Sequence, residues 1–252
     1  MKPPKSFTLV RHGESEYNAL RKQKEADPLY IKFEEAYDRD MRSEETRALA
    51  QELKDKLYVG RGDHNTRLTD EGARQAAMVG KKLSKAIALP DIIFVSPYER
   101  TTETLRHIKG TWPELDNVPT IVEKLLREQS YGIGILYNDW RIFQTFHPDQ
   151  KDYRELTGSY WYKYPQGESI PEVRERSELF KIKYSHMYSG KNVLIVSHHR
   201  TILSHVANHK ELSPEEFLHM DASDPAVTCG VTSFKNTFGR LELDYYNKKL
   251  WA

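Results

Sequence analysis

The chain has a single cysteine, Cys229, so no intramolecular disulfide can staple it. That usage suits a reducing compartment. No apolar run reaches the roughly 20 residues a membrane span needs. The opening stretch MKPPKSFTLV holds no apolar segment before its first polar break, so no signal peptide is expected. The expected location is the cytosol, with the nucleus left open. Charge of one sign is missing too. With 38 basic against 37 acidic residues the net charge is +1, which gives no global argument for nucleic acid or an anionic membrane as partner. Any affinity for anions has to come from a local arrangement. Internal repeats, low-complexity stretches and obvious linkers are also absent.

Three segments share one layout. SFTLV precedes Arg11-His12, DIIFVS (91–96) precedes Pro97 and Arg100, and NVLIVS (192–197) precedes His198-His199. Short, nearly continuous β-branched or aromatic runs fit strands buried on both faces of a helix-covered parallel sheet. Helical patterns lie between them. Residues 70–88 put Ala73, Ala76, Ala77, Val79, Leu83 and Ile87 largely on one face. Ser96 as cap, Pro97 at the first helical position and Glu99 as the third predict a helix over 97–108. Ser169 with Glu172 and Ser213 with Glu216 repeat the cap signature, and RTILSHVANH after His199 reads as helix. GVTSFKN and RLELDYYN read as a closing hairpin around TFG. HPDQ reads as a turn.

This alternation predicts a three-layer α/β/α sandwich with a mostly parallel central sheet. One domain over 1–252 is the economical organisation, elaborated by a charged helical insertion at about 20–60 and an aromatic-rich cap segment at about 133–165. In open α/β sheets, ligands sit beyond the carboxyl ends of the strands. All three buried strands run out into cationic or imidazole side chains there. Arg11, His12, Arg100 and His198 would converge at one rim and hold a small, doubly charged anion. Arginine's planar fork matches phosphate oxygens, and histidine can act as a covalent nucleophile.

Six boxes, LVRHGESEYN, RLTDEGARQA, VSPYERTTETL, LREQSYG, PQGES and VSHH, occur in the order found in the histidine phosphatase superfamily, in the branch with phosphoglycerate mutases. The chain resembles that family over Leu9 to His199. The resemblance implies a phosphoglycerate mutase-like fold, no cofactor and no metal. It makes His12 the nucleophile that becomes phosphohistidine, with Arg11 and Arg100 binding the phosphoryl oxygens. His198 would complete the pocket, and Glu128 would serve as acid and then base. Asn18 would be a pocket residue and Glu168 a support.

Bland readings stand beside these. His199 occupies a position where the family usually carries Gly; it could bind substrate or point into the core. Glu123 competes with Glu128 for the acid role, and Asn18 and Glu168 could be cap or turn residues. Arg61, Asn65 and Arg67 could reach the rim or belong to an ordinary loop. A metal site built from His198, His199, His205 and His209 is disfavoured, since no Glu follows the metalloprotease pattern. SYWYKY (159–164) reads as packing.

The family holds hydrolases and mutases. At the acid box the mutases resemble ERxYGxLxGxNK, followed by paired arginines. Here the text is REQSYGIGILYND, without the downstream Lys or an Arg-Arg pair. The expected activity is therefore phosphomonoester hydrolysis, with mutase as the alternative and a non-catalytic phosphate-binding protein as another. Expected partners are a phosphorylated small molecule or phosphoprotein, inorganic phosphate, and a second copy of the chain as a homodimer. The aromatic cap suggests an organic leaving group with apolar surface.

Overall fold

A computed structural model describes residues 3–57 and 62–251. In chain order its elements are β1 (Ser6–Arg11), α1 (Glu16–Glu25), α2 (Pro28–Asp40), α3 (Glu44–Lys56), α4 (Asp70–Ala86), β2 (Ile92–Val95), α5 (Glu99–Thr111), β3 (Thr120–Val122), α6 (Trp140–Phe146) and α7 (Pro148–Thr157). They continue with α8 (Ile170–Ser185), β4 (Asn192–Ser197), α9 (His199–His209), α10 (Pro214–Ser223), β5 (Val231–Thr237) and β6 (Arg240–Lys248). Two compact units result: one of Met1–Ser15, His64–Glu128 and Glu172–Ala252, the other of Glu16–Asp63 and Gln129–Pro171.

The first unit carries a six-stranded sheet ordered β3-β2-β4-β1-β5-β6. The first four strands are mutually parallel, while β5 runs antiparallel to β1 and β6 to β5. Strand alternation builds three layers. Val10, Ile93, Val95, Leu194 and Val196 face a core with Ala76, Val79 and Leu83 of α4 and Leu105 and Ile108 of α5. Their neighbours Phe7, Leu9, Phe94, Val193 and Ile195 face an opposite core with Phe180 and Tyr184 of α8 and Ile202 and Val206 of α9. Both faces are therefore apolar, as continuous hydrophobic strands require.

Helix starts tell a mixed story. Ser213 and Glu216 form the expected reciprocal cap of α10. Ser96 does not cap α5, which begins at Glu99 after Tyr98 with no side-chain cap. Its hydroxyl is taken instead by His198, at 2.7 Å. HPDQ is not a bare turn: Pro148 opens α7, because its fixed φ suits a first helical position.

The second unit packs α2, α3 and α6 around Phe33, Leu53 and Ile142. Within it Lys24 and Asp139 form a buried ion pair at 2.5 Å, and Tyr30 Oη donates to the same carboxylate at 2.7 Å. The other Asp139 oxygen caps α6 by accepting from the amides of Arg141 and Ile142. Tyr160 and Tyr162 of the SYWYKY stretch are buried, while Trp161 is exposed. Among the described residues, no helix is long and apolar enough to cross a membrane.

The first two sequence boxes meet in the first unit. Thr69 caps α4 at the Gly72 amide and donates its hydroxyl hydrogen to Glu14 Oε1 at 3.0 Å. The Glu14 carbonyl accepts from Thr69 N, and Glu14 N donates to Gln75. A Cβ on Gly72 would lie 2.0 Å from the Glu14 carbonyl oxygen, and one on Gly13 would lie 2.4 Å from the Gly72 oxygen. Backbone touches backbone, so neither side can yield. Gly72→Ala is expected to lower stability by about 2–3 kcal/mol, read as a fall in the urea midpoint at unchanged m.

Candidate active site

Parallel pairing brings three strand ends level. Arg11 of β1 pairs with Ser197 of β4, and Val95 of β2 with Val196 of β4. The next residues along the three strands are His12, Ser96 and His198, with Ser96 falling one step before the other two. His12 N donates to Ser197 O at 3.0 Å, and Ser96 N to Val196 O at 3.1 Å, which continues the ladder one step past the strands. Arg100 enters from the first turn of α5.

The four predicted residues do converge. His12 is 3% exposed, Arg100 4% and His198 0%. His12 Nδ1 donates to the Gly13 carbonyl at 2.7 Å, so Nε2 is left with the lone pair, and Arg100 Nε points at it from 3.3 Å. The two imidazoles meet edge to face with centroids 5.2 Å apart. Burial, then the Arg100 and Arg11 guanidiniums, hold His12 well below the usual histidine range. Burial, then Arg100 and His12, do the same to His198. Both rings are thus neutral in the free protein at pH 7, with cations around them. Arg11 is half-buried and donates Nη1 to the Ala226 carbonyl. Arg11 Nε and His198 Nδ1 are buried with no hydrogen-bond partner among the described residues. An unmet guanidinium donor and an unmet imidazole nitrogen beside Arg100 form a cradle complementary to an anion.

Glu128 sits half-buried on a loop fixed at several points. Arg176 Nη1 donates to Leu125 O at 2.8 Å, Ser197 Oγ to Leu126 O at 2.8 Å and Thr201 Oγ1 to Arg127 O at 2.6 Å. Burial pulls the Arg11 guanidinium down, and the strongest opposing influence is the Glu128 carboxylate, which places that carboxylate's field on the anion cradle. Glu123 is committed elsewhere. Burial alone would raise it, but hydrogen bonds from Tyr184, the Leu125 amide and Lys183 hold its carboxyl below the usual range.

His199 offers neither ring nitrogen to a ligand: Nε2 bonds Asp221 Oδ1 at 2.6 Å and Nδ1 accepts from Ala226 N at 3.1 Å. His205 and His209 are packing residues. His205 rests against Phe180 and burial pushes it down to about 3, while His209 meets Phe234 edge to face. Asn65 and Arg67 are exposed, and Arg61 lies outside the described residues. Asn18 lies on α1 in the second unit, half-buried. In that same unit the Glu168 carboxylate accepts from Ser130 N at 3.0 Å, tying the loop around residue 130.

Sequence reasoning missed Ser96 and Tyr98. Tyr98 stands edge-on to His198 at 5.0 Å, with the Arg100 guanidinium over its ring at 4.9 Å. Ser96 orients His198. The threonines of RTTET lock the turn: Thr101 Oγ1 donates to Ser96 O at 2.9 Å, and Thr104 Oγ1 accepts from Gly13 N at 3.0 Å. A serine at a strand's carboxyl end reads equally well as cap or as site residue, and only the neighbouring strand decides between them.

The model of the histidine phosphatase superfamily (branch 1) matches residues 49–248. The phosphoglycerate mutase-like protein AT74 of Arabidopsis thaliana is 28% identical over 184 residues, covering 70% of this chain and 45% of that protein. This chain thus spans less than half the length of that plant relative. A 2,3-bisphosphoglycerate-dependent phosphoglycerate mutase of Bartonella bacilliformis is 26% identical over 218 residues, 85% of either chain. Among solved structures, the alpha-ribazole phosphatase of Shigella flexneri superposes with a TM-score of 0.69 at 17% identity, over 97% of this chain and 96% of that one.

Proposed function

This chain belongs to the histidine phosphatase superfamily (branch 1), and on that premise we propose that it is a phosphomonoester hydrolase acting through a phosphohistidine on His12. The observation that carries the proposal is the tautomer of His12. Its Nδ1 is bound to the Gly13 carbonyl, so the basic nitrogen faces the Arg100 guanidinium inside a cationic cradle.

The chemistry follows from the placement. His12 Nε2 attacks phosphorus, the P–O ester bond breaks, and Glu128 gives its proton to the departing alkoxide. Glu128, now a carboxylate, takes a proton from water. The hydroxide attacks phosphorus, the P–N bond breaks, inorganic phosphate leaves, and Glu128 is protonated again. Arg11 and Arg100 offset the charge on the three equatorial oxygens, which is most of what phosphoryl transfer needs, and the neutral His198 ring lies beside them. The two guanidinium groups make a metal unnecessary to the scheme. A cytosolic enzyme suits the cysteine usage, and the aromatic composition of 133–165 supports an organic leaving group.

Glu128→Gln is the informative variant. On an alkyl phosphate its kcat is expected to fall roughly 10²–10⁴-fold. On p-nitrophenyl phosphate the leaving group departs unaided, so a burst of nitrophenolate and accumulated phosphoenzyme are expected, because water is no longer activated. Equal losses on both esters without a burst would remove Glu128 from the role.

A mutase is the second reading, supported by the 26% identity to a phosphoglycerate mutase over 85% of either chain. Against it stands the missing lysine and arginine pair after the acid box. Incubation with 3-phosphoglycerate and catalytic 2,3-bisphosphoglycerate separates the two. Phosphate release without 2-phosphoglycerate supports the hydrolase, and exchange between the isomers faster than phosphate release establishes the mutase.

A further inference from the structure

We propose that His199 is a positioning residue for Arg11, acting through Ala226, an inference that rests on Arg11 being a phosphoryl ligand. Ala226 is 2% exposed and is gripped on both sides. Its N–H donates to His199 Nδ1 at 3.1 Å, and its C=O accepts from Arg11 Nη1. A neutral imidazole has one acceptor and one donor. With Nδ1 taken as acceptor, Nε2 carries the hydrogen and gives it to Asp221 Oδ1 at 2.6 Å. Burial would raise Asp221, but the bonds from His199 and Arg200 outweigh it and hold that carboxyl at about 2. The ring is therefore fixed in orientation and tautomer by an anion at its far end.

The adjoining residue has its own anchor. Val227 N donates to Asn247 Oδ1 at 2.7 Å, and Asn247 Nδ2 donates to Pro225 O at 3.1 Å. His199 supplies what this anchor does not, an acceptor for the buried Ala226 amide. Without it that amide is an unmet buried donor, which costs more than the bond itself contributes. The loop relieves the cost by turning toward water, and the carbonyl that aims Arg11 turns with it. A glycine in position 199 has no acceptor to offer, so this coupling belongs to a chain carrying histidine there.

Two isosteres isolate the coupling. Asparagine places an oxygen near the site of Nδ1 but cannot reach Asp221. Glutamine reaches Asp221 but leaves the Ala226 amide without an acceptor. Inorganic phosphate binding is measured by calorimetry for the wild type, His199→Asn, His199→Gln and His199→Gly, with thermal midpoints alongside. His199→Asn is expected to bind within about twofold of wild type. His199→Gln and His199→Gly should bind roughly five- to tenfold more weakly. Their KM for p-nitrophenyl phosphate should rise with kcat largely kept. If the Asn and Gln variants bind phosphate alike, or if affinity simply tracks the thermal midpoint across all three, the inference is overturned. A wild type that fails to bind phosphate overturns the phosphate-site reading together with this one.

Discussion

His12→Ala is expected to lower kcat on p-nitrophenyl phosphate by on the order of 10⁴–10⁶-fold, the range seen when a covalent nucleophile is deleted. The size of the effect comes from the lack of a substitute. His198 is the other imidazole in reach of the cradle, but its Nε2 is engaged by Ser96. Water would have to attack a phosphomonoester directly, with only the cations helping. Phosphate binding should survive, because Arg11 and Arg100 remain and removing the His12 ring takes away no charge at neutral pH. Acid-labile, alkali-stable phosphate on the protein after brief incubation with labelled substrate should vanish in the variant. The combination distinguishes three outcomes. Lost turnover with retained phosphate binding supports the covalent route. Undiminished turnover would falsify it. A wild type that binds phosphate but never turns over is the non-catalytic scaffold.

Acidification from pH 7 to 5 should destabilise the free protein steeply, and phosphate should oppose the loss. His12, His198 and His205 are buried and held below the unfolded histidine value of roughly 6.5. Above that value all three are neutral in both states, and pH has no leverage through them. Below it the unfolded chain takes up protons that the folded chain refuses, so stability falls with falling pH. For His205, held down to about 3, the window runs from about 6.5 to 3, and the loss by pH 5 is about 2 kcal/mol. His12 and His198 add losses of the same sign. Each kcal/mol shifts the midpoint of a chain this size by about 2–4 °C. Thermal scans at pH 7, 6 and 5 check the slope, and His205→Leu should remove one histidine's share of it. An anion bound beside His12 and His198 favours their charged forms, so saturating phosphate should flatten the profile for the wild type. A midpoint that stays level down to pH 5 contradicts the burial of these rings.

What could be read in advance divides along physical lines. Strands β1, β2 and β4 were legible because a strand buried on both faces must be nearly all apolar or β-branched, and FTLV, IIFV and VLIV are. The convergence of Arg11, His12, Arg100 and His198 was legible as well. Parallel strands in one sheet share a carboxyl edge, and each of these residues follows or closely trails such a strand. The acid is intermediate. Glu123 and Glu128 are five residues apart, and it took the bonds from Tyr184 and Lys183 to show that Glu123 is held in a structural role.

The linear sequence by itself determined which strands are central, which strand ends carry charge to the rim, and that the chain has no intramolecular cystine or long apolar run to rely on. Those are consequences of local composition, which needs no knowledge of neighbours. Tertiary structure alone decided that Ser96 orients His198 instead of capping a helix, that Gly13 and Gly72 meet backbone to backbone, and that His199 grips Ala226 and not a ligand. Each of those assignments depends on a partner 27 to 102 residues away. A polar group of this kind has several chemically equal ways to be satisfied, and only the folded geometry selects one.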